Sequence, residues 1–179
     1  FSNAGAMRVM VAHLTGRGYR RIAFIGGDSA YDTRGADRRR GFVVAMEEAG
    51  LDPSRLITVG RPPTSMRQGA DAMAMLLDSL PDTEAVVGVA DPAAFGALSE
   101  CARRGIRVPD DMAIAGFGNF EIAGISEPAL TTIDPFPTKI GDQAGRLIAD
   151  LLRGKTTENG PTLIEVGPQL VTRASTGAG

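Results

Sequence analysis

Short runs of branched apolar residues alternate with longer segments of helical periodicity along most of this sequence. Runs that are apolar on both faces are typical of buried parallel strands, and glycines follow many of these segments. The alternation predicts βαβ units with right-handed crossovers. The strand candidates are 20–25, 56–59, 84–89 and 112–115, and the helix candidates are 6–14, 41–49, 66–80 and 92–104. The sequence therefore predicts an α/β fold with a doubly wound parallel sheet.

The rhythm changes after Phe117, where prolines become frequent and the regular alternation stops. A helix is predicted at 140–152, and the pattern ends in extended pieces. Those extended pieces are predicted at 130–133, 162–166 and 169–172. A proline-rich segment followed by returning strands predicts that the chain crosses between two lobes.

Composition and charge restrict the partners and the compartment of the protein. Its 179 residues are 43% hydrophobic and 22% charged, which is typical of one ordinary globular domain. Lys plus Arg is 19 against 21 Asp plus Glu, so the net charge of -2 provides no basic patch for nucleic acid or an anionic membrane. No apolar run approaches the roughly 18 residues of a membrane span, and the first residues lack a signal-peptide pattern. We therefore expect a cytoplasmic protein without membrane contact.

Residues suited to metal binding and covalent catalysis are scarce. The single Cys101 excludes a disulfide within the chain, and the single His13 excludes a histidine-rich metal site. Dinucleotide-binding, P-loop and nucleophile-elbow motifs are absent, so Gly26 and Gly27 are interpreted as a tight turn. We therefore expect no metal, no cofactor and no enzymatic activity.

Polar and charged side chains follow four of the strand candidates and would meet at one edge of the sheet. In open α/β sheets, ligands bind in the crevice at the carboxyl ends of the strands. Guanidinium groups in that crevice would suit a polyhydroxylated or anionic ligand. The side chains of Arg39 and Arg40 are interpreted instead as part of a helix face exposed to solvent. The candidate ligand-binding residues are Asp32, Arg34, Arg38, Arg61, Asp91, Phe117 and Asn119.

Five motifs follow one another along the sequence: AHLTGRGYRRIAFIGG (12–27), DRRRGFVVAMEEAGL (37–51), VVGVADPAAFGAL (86–98), ECARRGIRVPDDMAIAGFGNFEIAGISEPALTTI (100–133) and GPQLVTRAST (167–176). Taken in order, they resemble the effector-binding core of the lac-repressor family of bacterial transcription regulators. In this resemblance, Arg38 stands at the arginine of an R-x-x-G-[FY] motif that contacts the effector in many members. Asp91 stands in the family's Asn-Asp pair. The resemblance covers essentially the whole chain.

The resemblance implies a fold like that of periplasmic sugar-binding proteins, with two α/β lobes hinged around a ligand. The C-terminal lobe would comprise residues 20–130 and 160–174. Residues 1–19 and 131–159 would be a remnant of the N-terminal lobe with its crossovers. Most of that lobe, and the helix-turn-helix headpiece that reads DNA, would lie outside this chain.

Two positions depart from the family pattern and bear on the ligand. Ala90 replaces the Asn of the Asn-Asp pair, and Gly118 replaces the first acidic residue of the G-[FY]-D-[DN] motif. In many relatives those side chains bind hydroxyls of the effector. The segments 32–42 and 100–124 look most similar to gluconate-operon repressors. That similarity implies a sugar acid whose carboxylate would be bound by Arg34 and Arg38.

Family membership also implies a homodimer that controls binding to operator DNA. Ligand binding would favour one hinge state, which the dimer would transmit to the headpieces. The dimer face would include Phe95, Leu98, Phe120 and Ile122. An alternative stays open, in which Phe95 and Leu98 belong to the ordinary core.

Two other classes of function are alternatives to an effector-sensing regulator. A sugar-binding protein of a transporter would share the fold and would carry a signal peptide upstream. A small enzyme on a doubly wound sheet is disfavoured, because no acid, base, nucleophile or metal site assembles. The segments RRGIRVPDD (103–111) and RAST (173–176) favour the regulator.

Overall fold

Six strands form one sheet in the computed structural model, which describes residues 1–27, 29–154 and 163–177. Their bounds are β1 Ile22–Gly26, β2 Leu56–Thr58, β3 Ala85–Gly88, β4 Ala113–Phe117, β5 Thr131–Asp134 and β6 Gln169–Val171. The order is β2-β1-β3-β4-β5-β6, in which the first five strands are parallel and β6 is antiparallel to β5. The predicted α/β class with a doubly wound, mostly parallel sheet is confirmed.

Helices cover both faces of the sheet. Their bounds are α1 Asn3–Gly16, α2 Thr33–Glu48, α3 Met66–Ser79, α4 Asp91–Arg103, α5 Glu121–Ile125 and α6 Pro137–Leu152. Single 3-10 turns lie at Ser29–Tyr31 and Ala174–Thr176. On one face α1 and α2 pack around Met10 and Phe42, and on the other α3 and α4 pack around Leu76.

The central strands are buried on both sides, which explains their uninterrupted apolar sequence. All five residues of β1 and of β4 are buried. Successive residues point to opposite faces, so Phe24 joins the core under α1 and α2 while Ile25 joins the core under α3 and α4. The carboxyl ends of the five parallel strands share one edge, and the loops that follow them form a common surface.

Glycines allow α3 and α4 to approach each other closely. A Cβ at Gly96 would overlap the carbonyl oxygen of Met66 and lie 2.7 Å from the backbone N of Ala70. The start of α3 is fixed by a capping box, in which the side chains of Ser65 and Gln68 each accept a hydrogen bond from the other's backbone N–H. The N-terminal end of α3 is thereby held at the carboxyl edge of the sheet.

Two segments that the sequence analysis assigned to an N-terminal lobe belong to this sheet and its core. Strand β5 pairs with β4, and α1 contributes Met7 and Leu14 to the core that it shares with α2. The predicted lobe boundaries at 19/20 and 130/131 are therefore wrong for α1 and β5. Both elements bury side chains in the same core cluster as β1 and β4. The extended piece predicted at 162–166 also differs, since residues 163–166 form no strand and Thr162 lies outside the described residues.

Helix α6 contributes nothing to the two buried clusters. None of its 16 residues is buried, although its apolar side chains recur at helical spacing. The apolar stripe consists of Ile140, Ala144, Leu147, Ile148 and Leu151. Among the described residues, no helix combines the length and the hydropathy that crossing a membrane requires.

Candidate ligand-binding site

The loops after the parallel strands bring the predicted site residues to the carboxyl edge of the sheet. Asp32 caps α2, Arg61 follows β2, Asp91 begins α4 and Asn119 follows β4. Phe117 is the last residue of β4 and is only 4% exposed. Four strand ends therefore supply the groups that the sequence analysis placed at one edge.

Three contacts hold the guanidinium of Arg38, which is 9% exposed. Its Nε donates to Oδ1 of Asn3 at 3.0 Å, and its Nη1 donates to the carbonyl oxygen of Val89 at 2.5 Å. Its guanidinium carbon lies 4.1 Å from the centroid of the Phe117 ring, a cation–π contact. Burial lowers the pKa of Arg38, because desolvation disfavours the charged form. These contacts fix a cation at the junction of β1, β3 and β4.

Two further guanidiniums at this edge are exposed to solvent. Within the described ranges, neither the Arg34 nor the Arg61 guanidinium forms an ion pair or a hydrogen bond. The guanidinium carbon of Arg61 lies 4.8 Å from the centroid of the Tyr31 ring. The carboxylate of Asp32 is used as the N-cap of α2, where it accepts from the backbone N of Arg34 at 3.1 Å. Among the described residues, no carboxylate pairs with these two positive charges.

Asp91 lies beneath the edge and is fully buried. Its Oδ1 accepts from the hydroxyl of Thr132 at 2.6 Å, and its Oδ2 accepts from the backbone N of Phe120 at 2.8 Å. Burial raises the pKa of the Asp91 carboxyl, and these hydrogen bonds oppose that rise. The carboxylate ties α4 to β5 and to the loop after β4, and it presents no exposed atom to a ligand.

Asn119 has a left-handed backbone and links three segments. Its φ is 50°, and Gly118 before it has a φ of 125°, conformations that glycine and asparagine tolerate better than other residues. Its Nδ2 donates to Oδ2 of Asp134 at 2.9 Å, and its Oδ1 accepts from Nη2 of Arg173 at 2.8 Å. Both polar ends of the Asn119 amide are therefore engaged within the protein.

The predicted dimer residues differ in exposure. Phe120 is 55% exposed, whereas Phe95 and Ile122 are partly buried. Leu98 is only 5% exposed and packs in the core between the sheet and the pair α3 and α4. Its assignment to a dimer face is thereby corrected, because a side chain enclosed in the core of its own chain has no surface for a partner.

Sequence reasoning missed several residues that position the site. These are Asn3, Tyr31, Thr132, Asp134 and Arg173. Ser2 caps α1, and the side chain of Asn3 is thereby left to bind the guanidinium of Arg38. A sequence signal existed only for Thr132, because a polar side chain inside a buried strand needs a hydrogen-bond partner.

Groups capable of metal binding or nucleophilic attack are used elsewhere in the described part of the chain. No set of three His, Cys, Asp or Glu side chains in that part is placed to hold a cation. Nε2 of His13 lies 2.9 Å from the hydroxyl of Thr176, which ties α1 to the last 3-10 turn. Cys101 is buried, and burial raises the pKa of its thiol to about 12. The thiol is therefore protonated at neutral pH.

Comparison with known proteins covers nearly the whole chain. Residues 11–176 match the family described as a periplasmic binding protein-like domain. The HTH-type transcriptional regulator GntR of Pseudomonas aeruginosa is 34% identical over 177 residues, which are 98% of this chain and 50% of that protein. The chain therefore spans about half the length of the curated relatives it matches.

Solved structures give the same result. A LacI family transcriptional regulator from Silicibacter pomeroyi superposes with a TM-score of 0.89 at 39% identity, over 98% of this chain and 62% of that chain. A complex of the transcriptional regulator CelR with cellobiose superposes with a TM-score of 0.85 at 32% identity, over 98% of this chain and 52% of that chain. These relatives are transcriptional regulators, not enzymes. The chain belongs to the periplasmic binding protein-like family, as the effector-binding type of domain of LacI-family transcriptional regulators.

Proposed function

We propose that this domain senses a small sugar acid of the gluconate type and so controls operator binding by a helix-turn-helix domain outside this chain. The ligand binds at the carboxyl edge of the sheet, against Arg34, Arg38, Arg61 and Phe117. The protein is a homodimer that acts in the cytoplasm as a repressor. The effector changes operator affinity by its differential affinity for the two hinge states of the dimer.

The observation that carries this proposal is the set of guanidiniums that the structure brings to one edge of the sheet. Several arginines elsewhere on the surface pair with carboxylates, as Arg107 does with Asp111 at 2.6 Å. Arg34 and Arg61 have no acidic partner among the described residues. An ionised carboxylate is the ligand group that guanidinium donors bind best, and each such hydrogen bond contributes about 1.5–3 kcal/mol.

The loss of two hydroxyl-binding side chains supports an acid over a neutral sugar. Ala90 lies at the N-cap of α4 without a polar side chain, and Gly118 has none to offer. Both ends of the Asn119 amide form hydrogen bonds within the protein, so a ligand can use this amide only by displacing one of them. The related CelR, by contrast, is described in complex with cellobiose, which is a neutral disaccharide. The site therefore recognises its ligand through the charge of the arginine guanidiniums more than through neutral side chains that bind hydroxyls.

Isothermal titration of the protein as encoded by its gene tests this proposal. D-gluconate and D-glucose both have six carbons, but gluconate is an open chain with a carboxylate at C1, whereas glucose is mainly a neutral pyranose ring. We expect saturable binding of D-gluconate, with D-glucose weaker by at least about tenfold, the equivalent of one charge-assisted hydrogen bond. Clear binding of a neutral sugar with no response to D-gluconate would overturn the sugar-acid assignment.

A second lobe is part of the proposed protein. The apolar stripe of α6 is unburied, and such a stripe is typical of a helix that packs against another apolar layer. Residues 135–154 therefore lead to and pack on an N-terminal lobe, which supplies the other wall of the ligand site. The rest of the predicted remnant, 155–159, and the first residues of the predicted returning segment, 160–162, lie outside the described residues.

The proposed dimer face lies on α4 and α5. Phe120 is 55% exposed and Ile125 is 71% exposed, with Phe95 and Ile122 partly buried beside the same helices. A homodimer would remove these apolar side chains from water. Sedimentation velocity should reveal a dimer that Ile125→Asp converts to monomer, and an unchanged dimer would contradict this face.

A further inference from the structure

A two-residue link joins β5 to α6, and one carboxylate sets its geometry. Asp134 is the last residue of β5, and α6 begins at Pro137. Oδ1 of Asp134 accepts from the backbone N of Phe136 at 2.7 Å. Oδ2 of the same carboxylate accepts from Nδ2 of Asn119 at 2.9 Å. The two oxygens of Asp134 therefore hold two different segments, the link to α6 and the loop after β4.

The link has a backbone conformation that its surroundings must maintain. Phe136 precedes the first residue of α6 with a φ of 54°, which is rare for a residue with a Cβ. Its side chain gives α6 no capping hydrogen bond. The bond from its backbone N to Asp134 is thus the polar contact that fixes where α6 begins.

The Asn119 amide is held in one orientation. Nη2 of Arg173 donates to its Oδ1 at 2.8 Å, while Nη1 of Arg173 donates to the carbonyl oxygen of Leu130 at 2.8 Å. Asn119 is also two residues from Phe117, whose ring supports the Arg38 guanidinium. We therefore expect a displacement of the ligand-binding edge to move the Asn119 amide and, through its hydrogen bond, the Asp134 carboxylate.

Helix α6 has no buried side chain that would hold it to the sheet against such a displacement. It has no buried residue, so within the described chain its direction is set by the link rather than by packing. A ligand hydroxyl or carboxylate that takes the Nδ2 donor of Asn119 removes one of the two hydrogen bonds to Asp134. The network then has two arrangements, one with the carboxylate bound to both segments and one with it bound to the link alone.

We propose that Asp134 is a positioning residue that transmits the state of the ligand-site loop to the direction of α6. This inference rests on the proposed function for the identity of the ligand, and it adds the residue through which the site regulates the rest of the molecule. Asp134 touches no ligand in this scheme. Its effect passes through Asn119 on one side and Phe136 on the other.

Hydrogen–deuterium exchange of the ligand-free protein, as encoded by its gene, tests the network itself. We expect Asp134→Ala and Asn119→Ala each to raise exchange in peptides of α6 by about two- to thirtyfold, the range that couplings of about 0.5–2 kcal/mol produce. The double variant should exchange no faster than Asp134→Ala alone, because both changes break the same path. Additive effects, or unchanged exchange in α6, would overturn the proposal.

Exchange with saturating D-gluconate tests the transmission. In the wild type, the ligand should alter exchange both in the loop 117–120 and in α6. In Asp134→Ala, the loop should still respond while α6 does not. A response of α6 as large as that of the wild type would overturn the role of Asp134. If the wild type binds no D-gluconate, the assignment of D-gluconate as the ligand is wrong. The role of Asp134 is then tested by the exchange of the ligand-free variants alone.

Two further variants separate transmission from simple loss of structure. Asp134→Asn keeps an oxygen for the Phe136 N–H but offers Asn119 no second acceptor, so α6 should begin normally and still lose its response to D-gluconate. Asp142→Ala is the matched control, since Asp142 is exposed on α6 and forms no ion pair within the described residues. It should behave as the wild type, and exchange in β1 to β3 should be the same in all variants.

Discussion

The guanidinium carbon of Arg38 lies 4.1 Å from the centroid of the Phe117 ring. Arg38 belongs to α2, after β1, and Phe117 ends β4. Strand β3 lies between these two strands, and its following residue, Val89, accepts a hydrogen bond from the same guanidinium. One side chain therefore joins three strand ends and shapes the surface that we propose for the ligand.

Replacing Arg38 by lysine should lower the free energy of unfolding by about 1–3 kcal/mol. Asn3 and Val89 accept from two different nitrogens of the guanidinium, whose planar face lies on Phe117. A lysine ammonium has one nitrogen and no planar face, so it cannot reproduce all three contacts. Urea unfolding followed by circular dichroism measures the loss. The control is Arg40→Lys at an exposed position, which should change stability by less than about 0.5 kcal/mol. Equal losses in the two variants would contradict the anchoring role.

Neutralising the exposed guanidiniums should weaken ligand binding without affecting the fold. Arg34→Gln and Arg61→Gln should each reduce D-gluconate affinity by about 10- to 100-fold, because each removes a charge-assisted hydrogen bond. Isothermal titration measures the affinity, and Arg107→Gln, beyond the end of α4, serves as the control. An equal loss of D-glucose affinity in the same variants would show that the carboxylate is not what they recognise.

Periodicity was sufficient to predict strands β1 to β4 and the helices that lie between them in the sequence. Strands such as β1 and β4 are buried on both sides, so their sequences are continuously apolar and unambiguous. The lobe boundaries were wrong because α1 carries no signal of which layer it packs on. That choice depends on its contact with α2 around Met10 and Phe42, which is a property of the assembled core.

The placement of the candidate residues was predictable from the sequence, but their contacts were not. Strand ends could be read from the sequence, and they placed Arg38 and Asp91 at the carboxyl edge of the sheet, where the structure has them. The partner of Asn119 could not be read, because Arg173 lies 54 residues away and reaches it only through the antiparallel return of β6. The burial of Leu98 depends likewise on how closely α3 docks on α4.

Asp91→Asn should change how stability depends on pH. Burial holds the pKa of the folded Asp91 carboxyl above its unfolded value of 3.8, so the folded state binds the proton more tightly. The contribution of Asp91 therefore favours folding below pH 3.8 and is lost as the pH rises through the folded pKa. The asparagine can keep both hydrogen bonds, because the Thr132 hydroxyl can rotate to accept. Urea unfolding from pH 4 to pH 7 should show the variant gaining stability relative to wild type as the pH rises.

Asp111→Asn provides the control of opposite sign. Hydrogen bonds from Arg107 lower the pKa of the Asp111 carboxyl to about 2. Its contribution to stability is therefore present above pH 3.8 and is lost as the pH falls from there towards 2. The two variants should diverge from wild type in different pH ranges, and a shared profile would contradict the assigned causes.

The thiol of Cys101 should not react with Ellman's reagent in the native protein at pH 8. Its side chain has no exposed surface, so the reagent cannot reach the sulfur. Burial also raises the pKa of the thiol to about 12, so the reactive thiolate is not formed at pH 8. One equivalent should react once the chain is unfolded in urea. Rapid reaction of one thiol per chain before unfolding would place Cys101 outside the core between α4 and the sheet.

Gly96→Ala should be among the most damaging single-methyl additions in the chain. The new Cβ would overlap the carbonyl oxygen of Met66 and lie 2.7 Å from the backbone N of Ala70, and neither atom can rotate away as a flexible side chain can. Separating α3 from α4 would open the core around Leu76, so we expect a loss of about 1–3 kcal/mol in urea unfolding. Gly16→Ala is the matched control, because a Cβ there meets nothing within 4 Å, and alanine should raise stability by up to about 1 kcal/mol. If both variants lose stability equally, close approach of the two helices is not the reason that position 96 is glycine.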